Sequence, residues 1–244
     1  MLRTVSKLLT FCLFAVASTA QALTIFTCEP EWAALSHQLA PQAKVFSATH
    51  VHQDPHYIEA RPSLIAKLAK ADLVICTGAG LEAGWLPALQ KRAANHKVMN
   101  GAKGMLYLAQ YTNTIHKHKK EFFSTKHVHP EGNPHFHLDP KRVAKLAVVI
   151  SKHLQQIDPV SALEYQQALQ TWQSTWELYM LKWRMKARAL KGKPVVIQHT
   201  SFSYLINWLE MNVVSDLEPK PGVPPTITHV QSLLSETQKN KPIG

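Results

Sequence analysis

Short apolar runs alternate with helical stretches from Leu23 onward, and this pattern constrains the fold more than any other feature of the sequence. The runs lie at residues 23–27, 44–48, 73–76 and 97–99. Pro30 and Pro62 stand where helices could begin, because the first helical position needs no backbone N–H donor. Strands that alternate with helices predict a parallel sheet covered by helices. We therefore predict an N-terminal α/β lobe over residues 23–157.

The last part of this lobe is less regular. Residues 100–139 show little periodicity and are predicted to form a long loop. Loops of that length inside a compact domain are usually functional or disordered. Asp139 and Pro140 end the loop with the signal for a helix start, and we predict a helix from there to about Leu154.

The first 22 residues have the features of a secretory signal peptide. Arg3 and Lys7 form a positively charged start, residues 8–17 are almost wholly apolar, and Ala-Gln-Ala at 20–22 is a small-x-small cleavage site. A membrane anchor is the alternative, but the apolar stretch is shorter than the about 20 residues that span a bilayer. We expect the segment to be cleaved and the mature chain to be exported.

Two cysteines remain after removal of that segment, Cys28 and Cys76, and each lies at the end of an apolar run. An exported protein meets an oxidising compartment, in which disulfides persist. If the two runs are adjacent parallel strands, the sulfur atoms lie at the same edge of the sheet. We therefore predict a disulfide between Cys28 and Cys76, with two buried free thiols as the alternative.

A long helix is predicted over residues 158–191. Apolar side chains recur there at steps of three and four until Gly192 and Pro194 end the pattern. The stripe consists of Ala162, Tyr165, Leu169, Trp172, Trp176, Tyr179, Trp183, Ala187 and Leu190. A coiled-coil dimer could use such a stripe, but bulky aromatic residues suit packing across a globular surface better. We expect a monomer in which this helix runs along two lobes.

The remaining residues, 192–244, have the pattern of the beginning of a second α/β lobe. Residues 194–198 and 213–215 are predicted strands, and 202–211 and 226–238 are predicted helices. The chain ends at Gly244, where a further strand would be expected. The predicted fold class is therefore α/β, with two Rossmann-like lobes joined by one long rigid helix and the second lobe incomplete.

The chain has 14 histidines, and most of them fall in two predicted loops at residues 50–56 and 116–137. In open α/β sheets, ligands bind at the carboxyl ends of the strands. His56 follows the second predicted strand, His199 ends a later strand, and His135 precedes a helix. Three neutral imidazoles from separate segments suit zinc, with a fourth position for a carboxylate or water.

Four segments resemble motifs of the cluster A-I solute-binding proteins, which serve zinc and manganese ABC importers. They are Asp54-Pro55-His56 with Glu59 and Arg61-Pro62-Ser63, then Asn133-Pro134-His135-Phe136-His137-Leu138-Asp139-Pro140, then Gln198-His199-Thr200-Ser201-Phe202-Ser203-Tyr204, and lastly Glu218-Pro219-Lys220-Pro221-Gly222-Val223-Pro224-Pro225. The long helix is similar to the rigid helix that joins the two lobes in that family. The resemblance covers nearly the whole chain after residue 22.

The resemblance implies a periplasmic zinc-binding protein that hands its metal to an inner-membrane ABC permease and catalyses no reaction. It assigns His56, His135 and His199 as the metal ligands, and three histidines favour Zn²⁺ over Mn²⁺ because Mn²⁺ prefers more oxygen donors. The family's fourth ligand is a carboxylate from a later part of the second lobe, which this sequence does not reach. We therefore expect a truncated chain with weakened zinc binding, in which water, or less readily Asp216 or Glu218, fills the fourth position.

Other histidines do not match the ligand positions of the family. The corresponding loop of the family is often rich in histidine and is thought to capture or sense zinc, so His127, His129 and His137 are candidates for auxiliary metal contacts. A solvated loop is the alternative, and it applies equally to His116 and His118.

Two other functions have some support in the sequence. A three-histidine zinc site with an open position also occurs in hydrolases, but no HExxH motif supplies a glutamate as general base. Lys and Arg outnumber Asp and Glu by 27 to 16, a balance that would suit a nucleic-acid or anionic-membrane partner. The basic clusters are explained more simply as a loop at 117–120 and the solvated face of the long helix, and we expect no nucleic-acid partner.

Overall fold

A computed structural model describes residues 22–115, 131–218 and 224–243. All but the last residue of the predicted signal peptide lies outside these ranges, as do His116, His118, His127 and His129. Within the described ranges, no helix is both long enough and apolar enough to cross a membrane.

The N-terminal part contains a parallel four-stranded sheet, as predicted. Its strands are β1 (Thr24–Thr27), β2 (Lys44–Ser47), β3 (Leu73–Cys76) and β4 (Met105–Tyr107), in the spatial order β2-β1-β3-β4. All of the strand pairings in this sheet are parallel. Because Thr27 is in register with Ile75, the residues that follow β1 and β3 emerge side by side at the carboxyl edge of the sheet.

Four helices pack against this sheet. They are α1 (Pro30–Leu39), α2 (Pro62–Ala69), α3 (Leu86–Ala93) and α4 (Pro140–Ile157). Ile25 and Ile75 pack with α1 and α4 on one face of the sheet, whereas Phe26 and Val74 pack with α2 and α3 on the other. Burial on both faces explains why β1 and β3 are continuous apolar runs rather than alternating ones.

The fourth strand lies later in the chain than predicted. The sequence predicts a strand at 97–99, but His96–Val98 form a 3₁₀ turn and β4 begins only at Met105, inside the predicted loop. The Asn95 side chain accepts a hydrogen bond from the Lys97 N–H (3.1 Å) and caps the turn. The prediction was wrong because this local side-chain bond favours the turn over the extended conformation.

The long helix, α5 (Ala162–Lys186), is shorter than the predicted range 158–191, because 3₁₀ turns replace its two ends. At about 1.5 Å per residue, α5 is about 38 Å long. Its first half packs against the N-terminal core through Tyr165, Leu169, Trp172 and Trp176. Farther along, Tyr179 is 47% exposed and Trp183 is 36% exposed. The predicted apolar stripe is therefore well covered only over its first half.

The C-terminal part contains a separate two-stranded parallel sheet. It consists of β5 (Pro194–Ile197) and β6 (Asn212–Asp216), with α6 (Ser203–Trp208) between them and α7 (Ile227–Asn240) after them. α6 is shorter than the predicted helix at 202–211, because a 3₁₀ turn precedes it and Glu210, with a φ of 57°, cannot continue it. Two parallel sheets covered by helices confirm the α/β class.

Candidate metal centre

The loop that carries His56 follows β2 and is attached to α3. The indole N–H of Trp85 donates to the Pro55 carbonyl (2.8 Å). The Asp54 carboxylate accepts from the backbone N–H of His56 (3.0 Å), and the same oxygen lies 2.6 Å from the imidazole Nδ1. A carboxylate at Nδ1 fixes the orientation of the ring and makes Nε2 the metal-binding nitrogen.

The segments of the other two predicted ligands are connected through Asn133 and Tyr204, which are both buried. The Asn133 side chain accepts from the His135 N–H (2.9 Å) and donates to the Thr200 carbonyl (2.7 Å). The Tyr204 hydroxyl donates to the Asn133 carbonyl (2.8 Å) and accepts from the Ile115 N–H (3.0 Å). These bonds bring the loop before α4 and the loop after β5 to the same place.

His135 and His199 meet edge to face there, with ring centroids 6.2 Å apart. The Nδ1 atom of His199 lies 2.8 Å from a carboxylate oxygen of Glu218. Glu218, which the sequence suggested only as a substitute ligand, therefore contacts the Nδ1 atom of His199 in the same way that Asp54 contacts the Nδ1 atom of His56. Asp216, the other candidate for the fourth position, has a pKa that burial raises.

His137, expected to make auxiliary contacts, lies beside His135 with ring centroids 6.0 Å apart. Its Nδ1 atom is 3.3 Å from a carboxylate oxygen of Glu31 in the first turn of α1. Burial lowers the pKa of His137, and the nearby negative charge of Glu31 partly opposes this shift. A histidine that stays neutral is the form that binds metal. His137 therefore joins the pair of His135 and His199 in one histidine group.

The predicted ligands do not form a tight set of donor atoms. In the part of the chain that the structure describes, the only three Cys, His, Asp or Glu residues whose donor atoms all lie within 4.8 Å of one another are Cys28, Cys76 and Glu82. Tetrahedral zinc, with Zn–N bonds of about 2 Å, holds its ligand atoms about 3.3 Å apart. Binding by all three predicted histidines therefore requires their donor atoms to come closer together.

Three carboxylates that bind the imidazole rings were missed as positioning residues by the sequence analysis. Asp54 lies two residues before His56, and this local spacing was a usable signal. Glu31 and Glu218 lie far along the chain from the histidines that they contact. Only the fold brings these pairs together, so no local pattern could have indicated them.

The disulfide between Cys28 and Cys76 is present, with Cα atoms 4.8 Å apart. Beside it lie two buried acids that the sequence did not single out, Glu29 and Glu82. The Glu29 carboxyl accepts from the N–H (3.1 Å) and the hydroxyl (2.9 Å) of Thr77, and the Glu82 carboxyl accepts from the Gly78 N–H (3.0 Å). Burial raises the pKa of both acids, and for Glu29 repulsion from Glu82 raises it further.

This acid pair predicts a dependence of stability on pH. Glu29 binds its proton more tightly in the folded chain than in the unfolded chain, so the free energy of unfolding is highest below its ordinary pKa of 4.5 and falls as the pH rises toward the raised value. The loss is at most about 1.4 kcal/mol per pH unit for one proton. Glu29→Gln, which copies the protonated form, should make the fall above pH 4.5 shallower in urea titrations. Glu164→Gln on the exposed side of α5 is the control, and equal slopes for wild type and Glu29→Gln would contradict the argument.

The two parallel sheets, the long helix and the histidine group at the strand ends define the class of cluster A-I solute-binding proteins, which are components of metal ABC importers and not enzymes. The chain belongs to the family described as zinc-uptake complex component A, periplasmic (ZnuA), whose sequence model matches residues 25–242. None of the curated proteins compared with the chain is a significant match.

Solved structures share the fold at low sequence identity. A crystal structure of ZnuA is 22% identical with a TM-score of 0.72, and the match covers 91% of this chain and 80% of that one. A zinc-bound ZnuA deletion mutant is 20% identical with a TM-score of 0.73, over 91% and 79% of the two chains. A manganese-bound periplasmic metal-binding protein from Candidatus Liberibacter asiaticus is 16% identical with a TM-score of 0.72, over 91% and 77%.

Proposed function

We propose that the chain is the zinc-binding component of a metal ABC importer, which captures Zn²⁺ through His56, His135 and His199 and delivers it to an inner-membrane permease. The observation that carries this proposal is the edge-to-face approach of His135 and His199, at 6.2 Å, from segments on either side of α5. A ligand site shared by two parts of the chain is suited to a protein that must both enclose and release an ion. Membership of a periplasmic zinc-uptake family supports the same function.

In this proposal, the chain is organised as a cleaved signal peptide (1–22), an N-terminal lobe (23–157), a connecting helical segment (158–191) and a C-terminal lobe (192–244). The mature protein works in the periplasm as a monomer. The edge of β5 and β6 nearest the histidine group then faces the carboxyl edge of the first sheet. The hydrogen bond from Asn133 to the Thr200 carbonyl supports this arrangement, because it joins the two proposed lobes beside the site.

Zinc is the proposed cargo rather than manganese. Imidazole nitrogens predominate in the histidine group, whereas Mn²⁺ prefers oxygen donors. The carboxylates of Asp54, Glu31 and Glu218 lie at Nδ1 atoms of histidines, where they orient the rings. Structures with this fold have been solved with zinc and with manganese. The metal preference is therefore determined by the ligands of each chain and not by the fold.

Metal competition tests this proposal on the oxidised, metal-free mature chain. Zinc is titrated against a chromophoric chelator, and the loaded chain is then dialysed against excess Mn²⁺ before metal analysis. We expect one zinc per chain and an affinity for Mn²⁺ at least about 100-fold weaker, in line with the usual order of divalent-metal affinities. Tighter binding of Mn²⁺ would overturn the choice of cargo, and no binding of either metal at micromolar concentration would overturn the function.

A further inference from the structure

A second group of metal-ligand side chains lies at the carboxyl ends of β1 and β3, outside the histidine group. The donor atoms of Cys28, Cys76 and Glu82 all lie within 4.8 Å of one another. Both cysteines are fully buried, and Glu29 and Glu82 are each only 2% exposed. Two sulfurs and carboxylate oxygens form a ligand set typical of zinc and other thiophilic divalent cations.

The Glu29 carboxyl is an independent sign that this place suits a cation. One of its oxygens accepts two hydrogen bonds from Thr77, whereas the other, Oε1, is buried and receives no hydrogen bond from an N–H or hydroxyl group of the described residues. The carboxyl is in hydrogen-bond contact with that of Glu82. Two buried carboxylate oxygens that face each other need a proton or a cation between them. A bound cation would fill this position.

A second observation concerns the charge of the pair. Among the residues that the structure describes, no Lys, Arg or His forms an ion pair with Glu29 or Glu82. A bound divalent cation would compensate the negative charge of the two carboxylates.

We propose that the dithiol form of the chain holds one Zn²⁺ through the Cys28 and Cys76 thiolates and Glu82, with Glu29 as the fourth ligand, and that the disulfide closes this site. A dithiol reductant converts one form to the other: it breaks the S–S bond, gives two electrons and two protons to the sulfurs, and becomes a disulfide itself. Zinc then replaces the two thiol protons as two Zn–S bonds form. A newly made chain is already a dithiol, so it needs no reductant.

A cavity borders this site. Glu82 lines a cavity of about 530 Å³ together with Gly78, Tyr107 and Glu131. Neither cysteine lines this cavity, and neither has any exposed surface. Zinc would therefore meet Glu82 first and the thiolates afterwards. Oxidation to the disulfide removes both sulfur ligands, so zinc in the site should also protect the thiols from oxidation.

The test uses the mature chain with His56, His135 and His199 all replaced by alanine, so that the proposed cargo site is absent. The chain is reduced with a phosphine without oxygen and titrated with Co²⁺, which absorbs in the near ultraviolet when thiolates bind it. We expect one Co²⁺ per reduced chain with this absorption, displaced by one Zn²⁺, and neither metal in the oxidised chain. Glu82→Gln should weaken binding at least about 10-fold, as loss of a ligand does, whereas the exposed control Glu164→Gln should not change it.

Several results would overturn the proposal. These are absence of the cobalt–thiolate absorption in a reduced chain that is folded by circular dichroism, equal metal uptake by the oxidised chain, or equal affinity of Glu82→Gln. Because metal binding contributes to folding, zinc should raise the urea midpoint of the reduced chain and leave that of the oxidised chain unchanged. A reduced chain that stays unfolded in the presence of zinc therefore also contradicts the proposal. A negative result in this test would not contradict the proposed histidine site, since that site is tested in the oxidised chain.

Discussion

Replacement of His135 or His199 by alanine should lower the affinity of the oxidised chain for zinc at least about 100-fold, which corresponds to about 2.7 kcal/mol. Each of these changes removes one of three proposed nitrogen ligands from a site with few alternatives. His56→Ala should have a similar effect. His96→Ala, at an exposed position in the 3₁₀ turn before β4, is the matched control and should leave the affinity unchanged. The measurement is competition for zinc with a chromophoric chelator.

The same series of variants distinguishes the proposed ligand set from an alternative set in which His137 replaces His56. The contacts between the imidazole rings alone would favour that alternative. His137 lies as close to His135 as His199 does. If His137 only assists capture, His137→Ala should cost about 10-fold or less, and Glu218→Gln, which loosens the His199 ring, should cost about 10- to 100-fold. A large loss for His137→Ala combined with none for His56→Ala would replace His56 by His137 in the site.

Removal of the disulfide should produce the largest change in stability. The two cysteines are 48 residues apart in sequence, and closing a loop of that size restricts the unfolded chain by about 4 kcal/mol in the chain-entropy model. We expect the metal-free Cys28→Ser/Cys76→Ser variant to unfold at about 2 M lower urea, for a typical slope of about 2 kcal/mol per M.

The control for this experiment is the wild-type chain reduced in the absence of metal, which should unfold close to the double variant. A decrease of less than about 1 kcal/mol in the double variant would show that the two strands are held in register without the bond. A decrease seen in the double variant but not in the reduced wild type would assign the loss to the serine hydroxyls, which would be buried where sulfur now packs.

The sequence was most informative where one local pattern decides the structure. β1 and β3 are apolar throughout because both faces of their sheet are covered, and α1, α2 and α4 begin at the prolines that indicated them. The α/β class and the edge shared by Cys28 and Cys76 followed from these patterns. The position of β4 was predicted wrongly because the Asn95 cap is a single side-chain hydrogen bond, and a search for apolar runs does not detect such a bond.

Only part of the candidate site could be predicted from the sequence. Histidines on loops at strand ends could be found, and the structure brings two of the three proposed ligands together. Pairs formed between distant parts of the chain, such as Glu31 with His137 and Glu29 with Glu82, could not be found in this way. Their carboxylates lie on helices or loops where an acid is ordinarily solvated, and only the packed fold shows that each contacts a specific partner.

The hydrogen bonds at Asn133 and Tyr204 contribute to the free energy that a membrane partner must overcome to separate the two parts of the chain and release the metal. Three of them join the N-terminal and C-terminal parts, through the Ile115 N–H, the Asn133 carbonyl and the Thr200 carbonyl. At about 1 kcal/mol each, they favour the joined arrangement by about 3 kcal/mol, or roughly 100-fold. A membrane partner would therefore have to bind the separated form at least a few hundred times more tightly to offset these three bonds alone.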